Sequence, residues 1–152
     1  MSHALKAWDK LKDNKAGCWL FSRFVCFKAP YFASISPLFE QLDVGIAEVS
    51  LKKRRKVTNH IGTVHAIAMA NLCEIAAGTM MEASIPSTMR WIPKGMTIQY
   101  LAKAKTNIRA KAVLPHIEYG APQDVNIPVS VLDTDGKEVV HADITMYVSP
   151  KH

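Results

Sequence analysis

The chain has 152 residues, 49% of them hydrophobic and 21% charged. That is one domain's worth of sequence, too apolar for a disordered chain, and its 7 Gly and 8 Pro follow no fibrous period. A net charge of +6 admits a polyanionic partner without naming one.

No uncharged run reaches the ~20 apolar residues that a membrane-spanning helix needs. The opening residues 1–6, MSHALK, lack the apolar core and cleavage site of a signal peptide. A cytoplasmic protein without stable membrane anchoring is therefore expected. Cys18, Cys26 and Cys73 are odd in number and show no CxxC spacing, which suits free thiols in a reducing compartment. The histidines form no HExxH or HxH pattern, so no metal site is expected.

Residues 3–15 carry Ala4, Leu5, Trp8 and Leu11 at helical spacing, with Lys6, Asp9, Lys10, Lys12 and Asp13 opposite. That is the pattern of an amphipathic helix, which Gly17 is expected to interrupt. Residues 18–28 read as a second, very apolar helix that stops before Pro30. Its Trp19, Phe24 and Phe27, with Lys15, Arg23 and Lys28, would suit a membrane surface. Aromatic side chains more often fill cores, so a helix packed over a sheet edge or a pocket mouth is expected.

Residues 44–57 read as a strand that runs into Lys52-Lys53-Arg54-Arg55-Lys56. Consecutive cations on a strand point to both faces. Either one face meets water or an anion, or the run blocks sheet-to-sheet aggregation. The run lacks the interleaved aromatics of single-strand nucleic-acid binders, and no helix-turn-helix is evident. No nucleic-acid partner is expected.

From residue 87 the apolar period is two, over 96–104, 108–114, 125–131 and 138–148. Long antiparallel strands follow, with a hairpin turn at Asp133-Thr134-Asp135-Gly136 and an edge or bulge at Pro128.

Residues 63–81, TVHAIAMANLCEIAAGTMM, are apolar on every helical face and too short to span a membrane. Such a helix is buried. Thr63 would cap it, and its alanines and Gly78 permit close approach. Its one charge is Glu74, with Asn71 one turn back and within reach. A carboxylate there is either functional or turned to a wet interface or a distant cation. The helix start, reached through a turn at Gly62, offers unpaired amides that would stabilise an oxyanion.

Asn59-His60-Ile61-Gly62-Thr63-Val64-His65 followed by Glu74 resembles the hotdog acyl-CoA thioesterases of the phenylacetate-pathway, PaaI-like type. That family carries an Asn six residues before a His-Gly-Gly, and an Asp or Glu nine residues after the His. Asn59, His65 and Glu74 keep both spacings. The strings His65-Ala66-Ile67-Ala68, Asn71-Leu72, Arg90-Trp91-Ile92-Pro93-Lys94-Gly95 and Tyr100-Leu101-Ala102-Lys103-Ala104 look like a bacterial branch of these thioesterases. The resemblance spans residues 44–148.

It implies an α+β hotdog fold, a long central helix wrapped by an antiparallel sheet. Residues 44–152 would form the hotdog domain, and residues 1–43 an N-terminal helical segment packed on it. The implied activity is hydrolysis of an acyl-CoA thioester to acid and CoA, with no cofactor beyond the CoA of the substrate. Glu74 would be the nucleophile or the base that activates water, Asn59 would position water or carboxylate, and His65 would shape the loop. The Ala66 amide would polarise the thioester carbonyl. The implied assembly is a homodimer, or a dimer of dimers, with carboxylate and amide from different subunits.

Gly62, Asn71 and Gly78 join Ala66 as substrate-binding positions. Arg54, Arg55, Arg90 and Lys94 are candidates for the CoA phosphates, and Met69, Met80 and Met81 for an adaptable acyl pocket. Three positions depart from the family. Ala66-Ile67 replaces the paired Gly, Gly78 stands where some relatives carry a hydroxyl, and Pro93 stands where some carry a serine. These departures favour an alternative, a non-catalytic acyl-CoA or lipid-binding hotdog protein.

Overall fold

The structure, a computed structural model, describes residues 2–151. Two helices open it, α1 (His3–Leu11) and α2 (Lys15–Lys28). Ser2 caps the first by accepting the Leu5 amide at 3.1 Å, and Asn14 caps the second by accepting the Gly17 amide at 2.8 Å. The break between them falls at residues 12–14, so Gly17 does not interrupt a helix as expected but lies inside α2. Its role is close approach: a Cβ there would overlap the Leu11 carbonyl oxygen.

The sheet contains β1 (Leu38–Asp43), β2 (Ile46–Leu51), β3 (Met89–Tyr100), β4 (Ile108–Val113), β5 (Gln123–Asp133) and β6 (Glu138–Pro150). All pairs are antiparallel, in the order β1-β2-β4-β5-β6-β3. The central helix α3 (Ala66–Ser84) packs against all six strands. This is the hotdog architecture. Strand alternation explains the seat. Ala47 and Val49 of β2, Ala110 and Ala112 of β4, and Ile127 and Val129 of β5 point inward and are fully buried. Small residues on β2 and β4 let the helix lie close.

Several expectations need correction. The sheet begins at Leu38, inside the stretch assigned to the helical segment. β2 ends at Leu51, so the basic run leaves the sheet and enters a short 3-10 turn at Arg55–Val57. Off the ladder, the cations spread into solvent instead of facing one another. β3 ends at Tyr100, and residues 101–107 are loop. Pro128 lies in a strand with neighbours on both sides, but β4 pairs only as far as Val129, so that side of β5 is open at Pro128. Met80 and Met81 are core residues and line no described pocket, whereas Met69, also in the core, borders the groove before α3.

The two sheet edges differ. α2 covers the β1 edge. The Ser22 hydroxyl there accepts the Phe39 amide at 2.9 Å and donates to the Cys18 carbonyl at 2.7 Å. Phe21 stacks edge-to-face on Trp8 of α1 at 5.1 Å and on Phe39 of β1 at 5.2 Å. β3 pairs with β6 alone, and its twelve residues present an open outer edge with Ile92 and Tyr100 exposed. α2 packs over a sheet edge and a cleft as expected, but most of its aromatics stay outward. Phe27 is 81% exposed and Trp19 58%, because they lie away from the arc of Gly17, Phe21, Ser22 and Cys26 that is buried. No helix of the described residues is long and apolar enough to cross a membrane.

Gly17→Ala should destabilise the fold by at least ~1–3 kcal/mol, since backbone cannot yield as a side chain does. Chemical denaturation against wild type measures it.

Candidate functional site

The loop before α3 is organised by Asn59. Its Oδ1 accepts the amides of Ile61 at 3.2 Å and Thr63 at 3.1 Å, and its Nδ2 donates to Thr63 Oγ1 at 2.9 Å. The backbone closes the same turn, with Asn59 N to Thr63 O at 2.9 Å and Gly62 N to Asn59 O at 3.1 Å. Gly62 has φ +76°, a left-handed conformation that favours glycine. Asn59 therefore builds the loop, and its amide group is occupied in doing so.

His65, not Thr63, caps α3. Its Nδ1 accepts the Ile67 amide at 3.0 Å, which places the ring proton on Nε2. Thr63 stands too early to cap and is held by Asn59. Among the described residues no acceptor takes the Ala66 amide, the first of the helix, where the positive dipole end lies. The Tyr100 hydroxyl donates to the Ala66 carbonyl at 3.2 Å, fastening the end of β3 to the start of α3. Burial pushes the Tyr100 hydroxyl pKa up, so it stays a donor. Asn59, Thr63, Ala66, Tyr100 and Lys103 line one shallow groove of about 340 Å³.

Glu74 lies two turns further along, half-buried in the wall of a separate cleft of about 520 Å³. That cleft runs between α3, β3 and the N-terminal helices. Its lining includes Phe24, Phe32, Gly78, Trp91 and Pro93. Among the described residues Glu74 makes no hydrogen bond and no salt bridge. Gly78, one turn on, receives the Trp91 ring: a Cβ there would stand 3.0 Å from Trp91 Cη2. The Trp91 indole N–H donates to Glu82 at 3.2 Å.

Asn71 does not join Glu74. Its Nδ2 reaches Ser34 Oγ at 3.2 Å, and its Oδ1 is buried without a partner. The nominated cations stand apart from both grooves. Arg54 donates to the Ile35 carbonyl at 3.1 Å, Arg90 to Ser149 Oγ at 3.1 Å, and Lys94 pairs with Asp124 at 2.6 Å. Arg55 is exposed. Lys28 is the cation in the Glu74 cleft. The sequence placed Phe24 and Lys28 on a helix over a sheet edge or a pocket mouth without tying them to Glu74, and it did not nominate Phe32 or Tyr100, because nothing local tied residues 24–32 to a helix some way further along the chain. Burial pushes the Cys73 thiol up to about 12, so it is no nucleophile. Among the described residues no three His, Cys, Asp or Glu side chains are placed to hold a metal ion.

Residues 17–148 match the family described as Domain of unknown function (DUF4442). The chain belongs to the DUF4442 family. No curated protein matches it. The crystal structure of genomics APC5556 is 48% identical, with 97% of this chain and 98% of that chain covered and a TM-score of 0.85. PA5026 from Pseudomonas aeruginosa, described as a probable thioesterase, is 21% identical over 86% of this chain and 93% of its own, with a TM-score of 0.78. A point mutant of the thioesterase SAV0944 from Staphylococcus aureus is 16% identical over 80% of this chain and 99% of its own, with a TM-score of 0.71. At such identities the last two share with this DUF4442 protein its fold.

Asn59→Ala leaves two loop amides unpaired. We expect it to cost about 1–3 kcal/mol and to speed hydrogen exchange at Ile61 and Thr63, as NMR would record.

Proposed function

We propose that this DUF4442 protein hydrolyses acyl-CoA thioesters. The observation that carries the reading is the Glu74 carboxylate, half-buried and without a protein partner, in the wall of an apolar cleft. A carboxylate so placed is available to take a proton. The description of two same-fold proteins as thioesterases supports the reaction class.

In this scheme Glu74 takes a proton from water as the water oxygen attacks the thioester carbonyl carbon. The carbonyl oxygen becomes an oxyanion and is held by the Ala66 amide. As the carbonyl reforms, the C–S bond breaks and the proton held by Glu74 passes to the leaving sulfur. The products are the free acid and the CoA thiol. Glu74 as nucleophile would give the same products by way of an anhydride that water then opens. Asn59 and His65 hold the amide in position; neither has a free group to spend on the water. Arg55, with the neighbouring lysines of the basic run, is the candidate for the CoA phosphates.

Eight residues separate Ala66 from Glu74, about 12 Å along a helix. One thioester cannot touch both at reacting distance. A complete site therefore needs Glu74 from one copy and Ala66 from a second, and the open β3 edge beside the cleft is a surface on which two copies would pair. The working unit in this reading is a cytoplasmic homodimer.

Glu74→Gln should lower kcat/KM for acyl-CoA esters by ~10²-fold or more without changing thermal unfolding. Ala66→Pro deletes the amide at a position where proline fits a helix, and should impair hydrolysis alike. Mixing the two variants should restore activity, because each heterodimer regains one intact site. Equal hydrolysis by wild type and Glu74→Gln would refute the assigned role. Ligand-induced melting shifts without turnover would instead establish a binding protein.

A further inference from the structure

The geometry points to the cleft between α2 and β3 as the acyl slot, with Phe24 and Phe32 of the N-terminal segment as a side wall and Trp91 of β3 as its end, so that it accepts an extended apolar chain. This rests on the thioesterase reading, since it takes Glu74 to mark the reacting end.

Three walls define the slot. α3 supplies Glu74 and, one turn on, Gly78. β3 supplies Trp91 and Pro93, and the N-terminal segment supplies Phe24 from α2 and Phe32 from the 3-10 turn at Pro30–Ser34. A volume of about 520 Å³ is far more than an acetyl group fills and lies within the range of pockets for larger ligands. The walls are mostly apolar, with Thr79 and His3, besides Glu74, their uncommitted polar members among the described residues. The Trp91 N–H is taken by Glu82, and the Lys28 ammonium lies 5.8 Å over the Phe24 ring centroid at the rim. Trp91 sets the length. Its ring rests on Gly78, where there is no side chain to displace it, and its bond to Glu82 holds it there. A chain that starts at Glu74 and runs toward Glu82 meets that ring about one helical turn on.

The test is a ladder of saturated acyl-CoA esters from acetyl to palmitoyl, assayed with the wild-type chain and with Trp91→Ala, Phe24→Trp and Glu74→Gln. Wild-type kcat/KM should rise roughly three- to fourfold per methylene until the slot is filled, and then stop rising. Trp91→Ala should move the break to longer chains, and Phe24→Trp should move it to shorter ones. Near-UV circular dichroism confirms that each variant is folded. In parallel, binding of free fatty acids of the same lengths is followed by tryptophan fluorescence, and isothermal calorimetry serves for Trp91→Ala. If the slot variants leave both profiles unchanged while Glu74→Gln still loses hydrolysis, the slot is elsewhere and the thioesterase reading stands. If Glu74→Gln hydrolyses like wild type but the slot variants shift fatty-acid binding, the slot stands and the assigned chemistry falls.

Discussion

A helix that is apolar on every side needs cover all the way round, and a curved sheet can enclose only part of its circumference. α3 meets this constraint in two ways. The sheet covers much of it, and Leu72, Met80 and Met81 are buried. The N-terminal helices cover part of the remainder, fastened to β1 by the Phe21 ring and the Ser22 hydroxyl. Where neither reaches, a stripe remains along Ile67, Glu74 and Glu82. The cleft lies between that stripe and the N-terminal helices, and Glu74 and Glu82 stand on it because the other faces of α3 are packed.

The same helix explains why the proposed site is divided. A helix is a rigid rod with a fixed rise, so the amide at its start and the carboxylate in its middle cannot converge within one chain. The loop around Asn59 and the cap from His65 then act as one device. Both side chains spend their hydrogen bonds holding the N-terminus of α3 in place, and among the described residues the Ala66 amide is left without an acceptor. The Ala66-Ile67 departure from the paired Gly of the PaaI-like motif leaves the backbone amide intact. Its methyl group does not close the groove, which is still lined by Ala66, Tyr100 and Lys103.

Patterns with a period were legible in the sequence. The all-apolar segment of residues 63–81 is α3 displaced by three residues at each end, and the alternation after residue 107 is β4, β5 and β6. Short or exposed elements were not. β1 carries Glu40, Gln41 and Asp43 among its six residues, and its burial follows from α2 lying on it, which no local pattern announces. The outward aromatics of α2 misled because hydrophobicity reports a preference for burial and not whether the chain supplies a partner. Of the spaced trio Asn59, His65 and Glu74, Asn59 borders the groove before α3 and Glu74 the cleft, while His65 caps the helix. Asn71 was misplaced because Ser34, thirty-seven residues away, gave its amide a better partner than Glu74 one turn on.

The unequal edges of the sheet bear on polymerisation. An unpaired strand edge recruits other strands, and a sheet with two such edges can grow without limit. Here β1 has surrendered the Phe39 amide to Ser22 and lies under a helix, so only β3 can accept a neighbour. Whatever pairs with β3 consumes the one available edge, and two copies joined there present no further strand to a third. Edge-to-edge growth ends after a single step, which lets the chain expose twelve residues of open backbone without nucleating a fibre.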